Sequence, residues 1–396
     1  MNRLWLILAT LTLARMAMGF QFQSMAAVGP LIATDSQITY TQLGALIGIY
    51  LLPGAFFAIP GGWLGKRFGD KRIVLGGLAM MTVGGALLAL FDDYQVMFVG
   101  RLISGLGAVL LNVLVTKMVT DWFAERRIET AMGILISSWP LGIAIALLTM
   151  GPIAAAIGTQ AAFFVTVAIS AIALLLVAVI YTSPPGASDA VPPAGQPRSV
   201  KLTRFELLGV VLGGVVWCFY NIAFILVLSF GPEFLVAQGM SLVAAGATVS
   251  IASWLVIPAL SVGGWAAERI GRPTAIMVVT LLIIALLIIA IPFTTSYVMI
   301  FAAIGIIFGP AGGLIMALPA QVLQKENRAM GMGIFFTIYY VGMGVFPTIA
   351  GYTREVTGNP AAPLVLAAIT LLVAVMALAG LRVLQQIHRS SLLSTR

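Results

Sequence analysis

The chain alternates long apolar, uncharged runs with short polar or basic connections. A helix needs about 20 mostly apolar residues to cross the hydrocarbon core of a bilayer. Twelve segments satisfy this condition, so the pattern predicts an all-α membrane protein with twelve transmembrane helices. The predicted spans are 4–32, 42–64, 72–92, 94–119, 129–157, 160–182, 205–232, 241–265, 274–294, 296–323, 329–352 and 361–385.

One connection is longer than the others and has a different composition. Residues 182–201 are rich in Pro, Ala, Gly and Ser, which is typical of a flexible linker. This linker separates six predicted spans from six. We therefore expect an N-terminal six-helix bundle at 1–182, a linker at 183–204 and a C-terminal six-helix bundle at 205–396.

A repeat relates the two halves. Gly62 and Gly264 are 202 residues apart, which is close to half of the chain. Transporters are commonly built from such internal repeats. The repeat therefore predicts that spans 2 and 8 are equivalent members of two pseudo-symmetric bundles. Further pairs at the same offset are Gly44 with Gly246, Trp63 with Trp265, Arg67 with Arg269, and Gly69 with Gly271.

Composition supports a lipid-facing surface. Apolar residues make up 61% of the chain and charged residues 9%, whereas soluble proteins keep roughly 25% charged residues. The net charge of +8 is spread over short clusters between apolar runs, so a nucleic-acid partner is not expected. The single cysteine, Cys218, excludes an internal disulfide. The expected surroundings are membrane lipid, and the expected state is a monomer.

The distribution of cations predicts the orientation. With both termini on the inner side, 18 of the 21 Lys and Arg residues fall on that side. Positive charge marks the cytoplasmic side of a membrane protein. We therefore expect both termini in the cytoplasm, with the chain in a bacterial inner membrane. The exceptions are Arg354, which is placed outside, and Arg15 and Arg101, which lie within spans.

The loops after spans 2 and 8 carry a recurring motif, and span 4 carries a second one. Together with twelve spans and a central linker, they resemble the major facilitator superfamily over the whole chain. The span-4 signature, R-x-x-x-G-x-G, is matched by Arg101, Gly105 and Gly107. The loop signature, G-x-L-x-D-R-x-G-R-[RK], is matched first by Gly62, Leu64, Arg67, Gly69 and Lys71, and then by Gly264, Glu268, Arg269, Gly271 and Arg272.

The resemblance implies that these loops form a cytoplasmic latch between the bundles. In the first copy Lys66 stands where the family has an acid, and Asp70 is one helical turn away to offset the reversed charge. The sequence of span 1 at 13–32, and that of span 2 with its following loop at 51–72, also resemble the cyanate-porter-like branch. That branch handles small anions and neutral polar molecules. The latch is expected to comprise Gly62, Lys66, Arg67, Gly69, Asp70, Lys71, Gly264, Glu268, Arg269, Gly271 and Arg272.

Arg15 is the strongest candidate for binding a substrate. It lies about eleven residues into span 1, hence roughly 16 Å deep. A charge at that depth costs at least about 2.5–3.5 kcal/mol, so it usually faces a cavity or a partner. No acidic residue is expected at the same depth, because Glu206, Glu233 and the other acids fall in loops or at span ends. The alternatives are an arginine held by backbone carbonyls and one whose side chain snorkels to the membrane interface.

Other polar and aromatic residues within spans are weaker candidates. Arg101 and Asn112 share one helical face of span 4, where packing is an equal alternative for Arg101. Aromatic residues near mid-span more often pack than bind. The full set expected around a central cavity is Arg15, Gln23, Arg101, Asn112, Trp139, Trp217, Tyr220, Asn221, Trp254 and Tyr340.

Enzyme chemistry has little support. The only histidine, His388, lies in the C-terminal tail, so a Ser-His-Asp site or a histidine metal site within the membrane lacks its components. No ATP-binding motif occurs either. We therefore expect no catalytic residue, no bound metal and no cofactor, and we expect transport to be driven by gradients.

Three functions are candidates for this sequence. The first is a secondary transporter of a small anion of the cyanate, nitrate or small carboxylate type, working by alternating access. The second is proton-coupled efflux of drugs or metabolites, which usually needs a membrane carboxylate. The third, a membrane sensor, would need a signalling domain. Without a buried carboxylate, the anion would arrive protonated, exchange for another anion or leave downhill.

Overall fold

The computed structural model describes residues 3–35, 38–123, 127–184 and 202–394. This part of the chain consists of α-helices, three 3₁₀ turns and their connections, and no strand occurs in it. The first half contains α1 (Arg3–Ala27), α2 (Gly29–Asp35), α3 (Tyr40–Gly48), α4 (Gly54–Phe68), α5 (Asp70–Leu90), α6 (Tyr94–Phe123), α7 (Ile128–Ile157) and α8 (Thr159–Ile180).

The second half begins after the linker. Its α-helices are α9 (Arg204–Ala237), α10 (Leu242–Ile270), α11 (Pro273–Ala290), α12 (Tyr297–Met316), α13 (Arg328–Thr357) and α14 (Ala362–Ser394). Three single 3₁₀ turns lie at Ile291–Phe293, Pro319–Gln321 and Lys325–Asn327.

Each half forms its own bundle. In the first, α5 packs against α6 and α8, and α1 packs against α7. In the second, α10 packs against α12, and α9 packs against α13 and α14. Two main seams join the bundles, one between α3 and α13 and the other between α7 and α10, and α4 also contacts α13 while α1 contacts α9. The division at 183–204 stays a prediction, because most of the linker lies outside the described residues.

The two ends of the molecule are defined by side-chain contacts. Arg3 donates to the Thr182 hydroxyl at 2.9 Å, so the first bundle begins and ends at one face. The Phe205 and His388 rings stack with centroids 3.9 Å apart, so the second bundle does the same. We call the end of the molecule that carries these two contacts the terminal face, and the other end the opposite face.

Eleven helices are long and apolar enough to cross a membrane by length and composition among the described residues. The prediction of one continuous second span at 42–64 is wrong, because α3 and α4 replace it. The chain turns at 49–53, and Pro53 cannot donate the N–H that would continue α3. The two short helices follow one another across the thickness of the bundle, and a total of twelve crossings stays a prediction.

The repeated glycines occupy equivalent places. Gly69 and Gly271 end α4 and α10 with φ values of 89° and 67°, a conformation that side chains other than glycine rarely adopt. Gly44 and Gly246 lie at the two seams. A Cβ atom on Gly44 would come within 2.1 Å of the Pro347 carbonyl oxygen, and one on Gly246 within 2.4 Å of the Leu147 carbonyl oxygen. The sequence repeat is thus a repeat of structure.

Candidate functional site

Arg15 lies near the middle of α1, and acceptors from α6 and α7 surround its guanidinium group. Its Nε donates to the Asn112 side-chain oxygen at 2.8 Å. Its Nη1 donates to the carbonyl oxygens of Leu135, at 2.7 Å, and Ile136, at 3.1 Å. The Ser138 hydroxyl also accepts from Nη1, at 3.4 Å. All four acceptors are neutral, so none of them balances the positive charge of Arg15.

Two glycines bring α1 close enough to α7 for these contacts. A Cβ atom on Gly19 would lie 2.5 Å from the Trp139 carbonyl oxygen. A Cβ atom on Gly142 would lie 2.2 Å from the Met16 carbonyl oxygen. Any larger residue at either position would push the helices apart, because atoms in contact need more than 3 Å. Arg15 is therefore held by backbone packing as well as by hydrogen bonds.

The guanidinium group keeps one nitrogen for a ligand. Arg15 is half-buried, and its Nη2 has no hydrogen-bond partner among the described residues. Tyr339 and Tyr340 of α13 are its electrostatic neighbours, and the Tyr340 hydroxyl lies beside the Asn112 side chain. Residues of both bundles thus meet at this arginine.

An aromatic group extends from Tyr339 into the second bundle. The Trp217 ring lies 6.1 Å from the Tyr339 ring and 5.9 Å from the Tyr220 ring, between centroids. The Trp217 indole nitrogen is buried and has no hydrogen-bond partner among the described residues. By contrast, Tyr220 donates to the Phe308 carbonyl at 2.6 Å, and Asn221 donates to the Trp217 carbonyl at 2.7 Å.

Arg101 lies in a different environment. It is 0% exposed, and its guanidinium group donates to three backbone carbonyls: Leu46 at 2.8 Å, Gln21 at 2.7 Å and Phe22 at 3.0 Å. It also lies 4.4 Å from the Tyr50 ring centroid. Every nitrogen that can donate already does so, which favours the packing alternative for this residue.

The remaining predicted residues lie apart from the Arg15 cluster. Gln23 donates to the Leu228 carbonyl at 2.9 Å and so links α1 to α9. The Trp139 ring packs 5.4 Å from the Phe22 ring, between centroids. Trp254 is 41% exposed, and no described contact joins it to Arg15.

Sequence reasoning left out Ser138 as a site residue. Its position gave a signal, because Ser138 adjoins the predicted Trp139, just as Tyr339 adjoins the predicted Tyr340. The sequence does not determine the rotation of α7 and α13 about their own axes. That rotation decides which of two adjacent residues faces Arg15. That rotation depends on packing against other helices.

The expectation that no carboxylate is buried is wrong. Glu206 is 2% exposed and Glu233 is 5% exposed. The Asn327 amide donates to Glu206 at 2.7 and 2.8 Å, and Arg354 pairs with Glu233 at 2.9 Å. Both acids lie near the ends of α9, where the sequence predicts hydration. Neighbouring helices cover those ends and exclude water.

In the first predicted latch, Asp70 has a different partner from the expected one. It forms an ion pair with Lys117 of α6, and Lys117 also contacts Asp121 at 3.0 Å. Lys66 and Arg67 are exposed. The turn at Gly69 directs the start of α5 toward α6. The Asp70 carboxylate therefore balances the positive charge of Lys117 and not that of Lys66.

Lys71 anchors the same loop to α8. Its ammonium group donates to the Ala178 and Tyr181 carbonyls at 2.7 Å each. In the second latch Arg269 and Arg272 are exposed. Gly264 and Glu268 lie in 263–268, whose side chains are outside the described set.

The helical fold and its long apolar helices are those of a polytopic membrane protein. A family model described as the Major Facilitator Superfamily matches residues 11–347 and 264–388. The chain belongs to this superfamily, which confirms the resemblance found in the sequence. It is a membrane transporter and not an enzyme.

Individual relatives differ in what they carry. The hexuronate transporter of Bacillus subtilis is 22% identical over 356 residues, which are 85% of this chain and 84% of the relative. The methylenomycin A resistance protein of the same organism is 30% identical over 143 residues, 36% of this chain and 31% of the relative. A crystal structure of a mutant nucleoside transporter NupG has a TM-score of 0.74 at 14% identity, covering 95% of this chain and 99% of that chain.

Proposed function

We propose that the chain is a secondary transporter that binds a small anion at Arg15 and moves it by alternating access. The observation that carries this proposal is the half-buried, unbalanced charge of Arg15. Its neutral acceptors leave Nη2 available, and the described ion pairs do not include it. An anion would supply the missing negative charge and would accept a charge-assisted hydrogen bond.

The position of the site supports alternating access. Arg15 and Asn112 belong to the first bundle, whereas Tyr339 and Tyr340 belong to the second. A ligand between them would contact both bundles, and its binding energy would depend on how far apart they are. The Trp217 indole nitrogen is buried without a partner in the part of the chain that the structure describes, and it is a further donor for the same ligand.

The other predicted residues have secondary roles in this proposal. Tyr220 and Asn221 position the Trp217 ring, and Gln23 links the bundles. The loop residues around Gly69 and Gly271 form the latch at the terminal face. Trp139, Trp254 and Arg101 would act by packing.

A relative matched over most of both chains supports an anionic substrate. This relative is the hexuronate transporter, and a hexuronate carries a carboxylate. We infer a carboxylate as the preferred substrate class for this chain. Either a coupling proton or an exchanged anion would accompany it.

Proton-coupled efflux is the alternative, and one observation favours it. The Glu233 carboxylate is buried, which supplies the acid that efflux of cationic drugs usually needs. The partial match to a resistance protein points in the same direction. The Arg15 experiment below separates the two functions, because an efflux substrate without negative charge would not need Arg15.

The experiment compares Arg15→Gln and Arg15→Lys with wild type in detergent and in proteoliposomes. A ligand at about 100 times its Kd stabilises a protein by about 2.7 kcal/mol, so glucuronate should raise the Tm of wild type. Arg15→Gln should lose that shift, and Arg15→Lys should keep part of it, because lysine keeps the charge but not the planar fork. Counterflow of labelled glucuronate should fall in parallel.

Lys71→Gln is the matched control, since Lys71 also donates to two backbone carbonyls but lies at the terminal face. It should lower the Tm without changing the ligand shift. Full glucuronate binding by a stable Arg15→Gln protein would contradict the anion proposal and favour efflux.

The orientation has its own test. We propose that the terminal face is cytoplasmic and that the chain resides in a bacterial inner membrane. A cysteine at Asp92 or Thr295 should then react with an impermeant maleimide in intact cells, and one at Ser390 only after permeabilisation. The native Cys218 is buried and should give a low background. The reverse labelling pattern would overturn the orientation.

A further inference from the structure

Pro140 interrupts the hydrogen bonding of α7 beside the carbonyls that hold Arg15. In an α-helix the carbonyl of one residue accepts from the N–H four residues later. Proline has no N–H, so Pro140 leaves the Ile136 carbonyl without its helical donor. Arg15 Nη1 donates to that carbonyl at 3.1 Å. The arginine therefore takes the place of the missing backbone donor.

A proline ring also favours an outward tilt of the carbonyls in the preceding turn of a helix. A proline ring clashes with the carbonyl four residues earlier, and the helix bends to relieve the clash. The bend tilts nearby carbonyls away from the helix axis, which favours acceptance from a side chain. Leu135, next to Ile136, accepts from the same Arg15 nitrogen at 2.7 Å.

The guanidinium group is planar, so its orientation follows from two of its nitrogens. Nε is held by Asn112 at 2.8 Å, and Nη1 is held by the two α7 carbonyls. With those two nitrogens fixed, the position of Nη2 is fixed as well. A change at Ile136 would therefore move the nitrogen that a ligand would use.

We propose that Pro140 is a positioning residue for the anion site, acting through the Ile136 carbonyl and Arg15. This inference rests on the proposed function, because it concerns the same arginine. It specifies a feature that the function alone does not require. A helix with an N–H at position 140 would still contain Arg15, but the guanidinium group would be held differently.

Pro152 provides a matched control within the same helix. Its missing N–H leaves the Leu148 carbonyl without a helical donor. Leu148 is exposed, and no described side chain donates to its carbonyl. Pro152→Ala therefore makes the same chemical change as Pro140→Ala without involving an arginine.

The first test needs no ligand. The change in Tm caused by Arg15→Gln is measured in three backgrounds: wild type, Pro140→Ala and Pro152→Ala. Residues that share a partner give non-additive effects, whereas distant residues are additive. The Tm change caused by Arg15→Gln should therefore differ by about 2 °C or more between wild type and Pro140→Ala. It should be the same in wild type and Pro152→Ala. Additivity in both backgrounds would overturn the proposal.

The second test uses glucuronate as the probe and separates the N–H from the ring. Pro140→Ala restores the N–H and should raise the Kd for glucuronate by about tenfold, as expected for one weakened charge-assisted hydrogen bond. The α-hydroxy analogue of alanine at position 140 has neither N–H nor ring, and it should restore most of the affinity. An analogue that binds as weakly as Pro140→Ala would contradict the role of the Ile136 carbonyl.

The two proposals fail in different ways. If Arg15→Gln binds glucuronate as tightly as wild type, the anion function is wrong. If Arg15→Gln loses binding while Pro140→Ala binds like wild type, only the positioning role of Pro140 is wrong. If glucuronate does not bind to wild type, the ligand-free Tm comparison still decides whether Pro140 and Arg15 are coupled.

Discussion

Replacing Arg101 by lysine will destabilise the protein more than replacing it by methionine. The Arg101 guanidinium group is fully buried and donates to three carbonyls on α1 and α3. A lysine keeps the charge and its desolvation cost, but its single nitrogen cannot reach all three acceptors. A methionine of similar length removes the charge, and the carbonyls remain in their helices.

The expected magnitudes follow from the lost bonds. Hydrogen bonds to charged groups contribute about 1.5–3 kcal/mol each, so Arg101→Lys should cost about 3 kcal/mol or more. That corresponds to a Tm lower by about 5 °C or more, with a smaller loss for Arg101→Met. Thermal denaturation of the purified variants in the same detergent provides the comparison. A lysine variant as stable as wild type would mean that the three carbonyl contacts contribute little.

Sequence position alone does not distinguish the roles of Arg15 and Arg101. Both are arginines within predicted spans, and each is a functional-site candidate by default. At the interface of the bundles Arg15 retains a nitrogen without a partner among the described side chains and carbonyls, whereas Arg101 is enclosed by α1, α3 and the Tyr50 ring. The difference lies in which carbonyls the neighbouring helices present. The set of neighbouring carbonyls is a feature of tertiary structure. The local sequence around either arginine does not predict it.

Features that depend on backbone geometry were predictable. Gly69 and Gly271 have positive φ, as the tight turns in the repeated loops require. The offset of Gly44 and Gly246 predicted equivalent helices, and both glycines lie at seams between the bundles. At these positions the presence of glycine predicted the structure, because only glycine fits the positive φ of the turns or the close contact between helices.

The failures have a common physical origin. Hydropathy does not register the turn at 49–53, because the residues of that turn are themselves apolar. Likewise, Glu233 stands near the end of α9, where hydropathy predicts contact with water. The structure instead pairs it with Arg354 and excludes water. Hydropathy measures preference for lipid over water and does not measure burial against other helices.

Substituting valine for Gly48 should hold the opposite face open. A Cβ atom at Gly48 would come within 2.0 Å of the Gly344 carbonyl oxygen, across the seam between α3 and α13. The atom it meets is backbone, so a side-chain rotation cannot relieve the overlap. The closed seam also carries the Thr41 hydroxyl, which donates to Glu355 at 2.5 Å, and the Arg354 guanidinium carbon, 4.6 Å from the Tyr40 ring centroid. Separating α3 from α13 would break these contacts as well.

Overpacking of this kind typically costs about 1–3 kcal/mol, which would shift the open-to-closed ratio by about five- to 150-fold. Spin labels at Asp92 and Asn359, one on each bundle at the opposite face, should report a longer mean distance in Gly48→Val than in wild type. Gly76→Val is the control, because a Cβ atom at Gly76 would meet nothing within 4 Å. It carries the same change in helix propensity and should leave the distance unchanged. Equal distances in wild type and Gly48→Val would show that the α3–α13 seam does not close the opposite face.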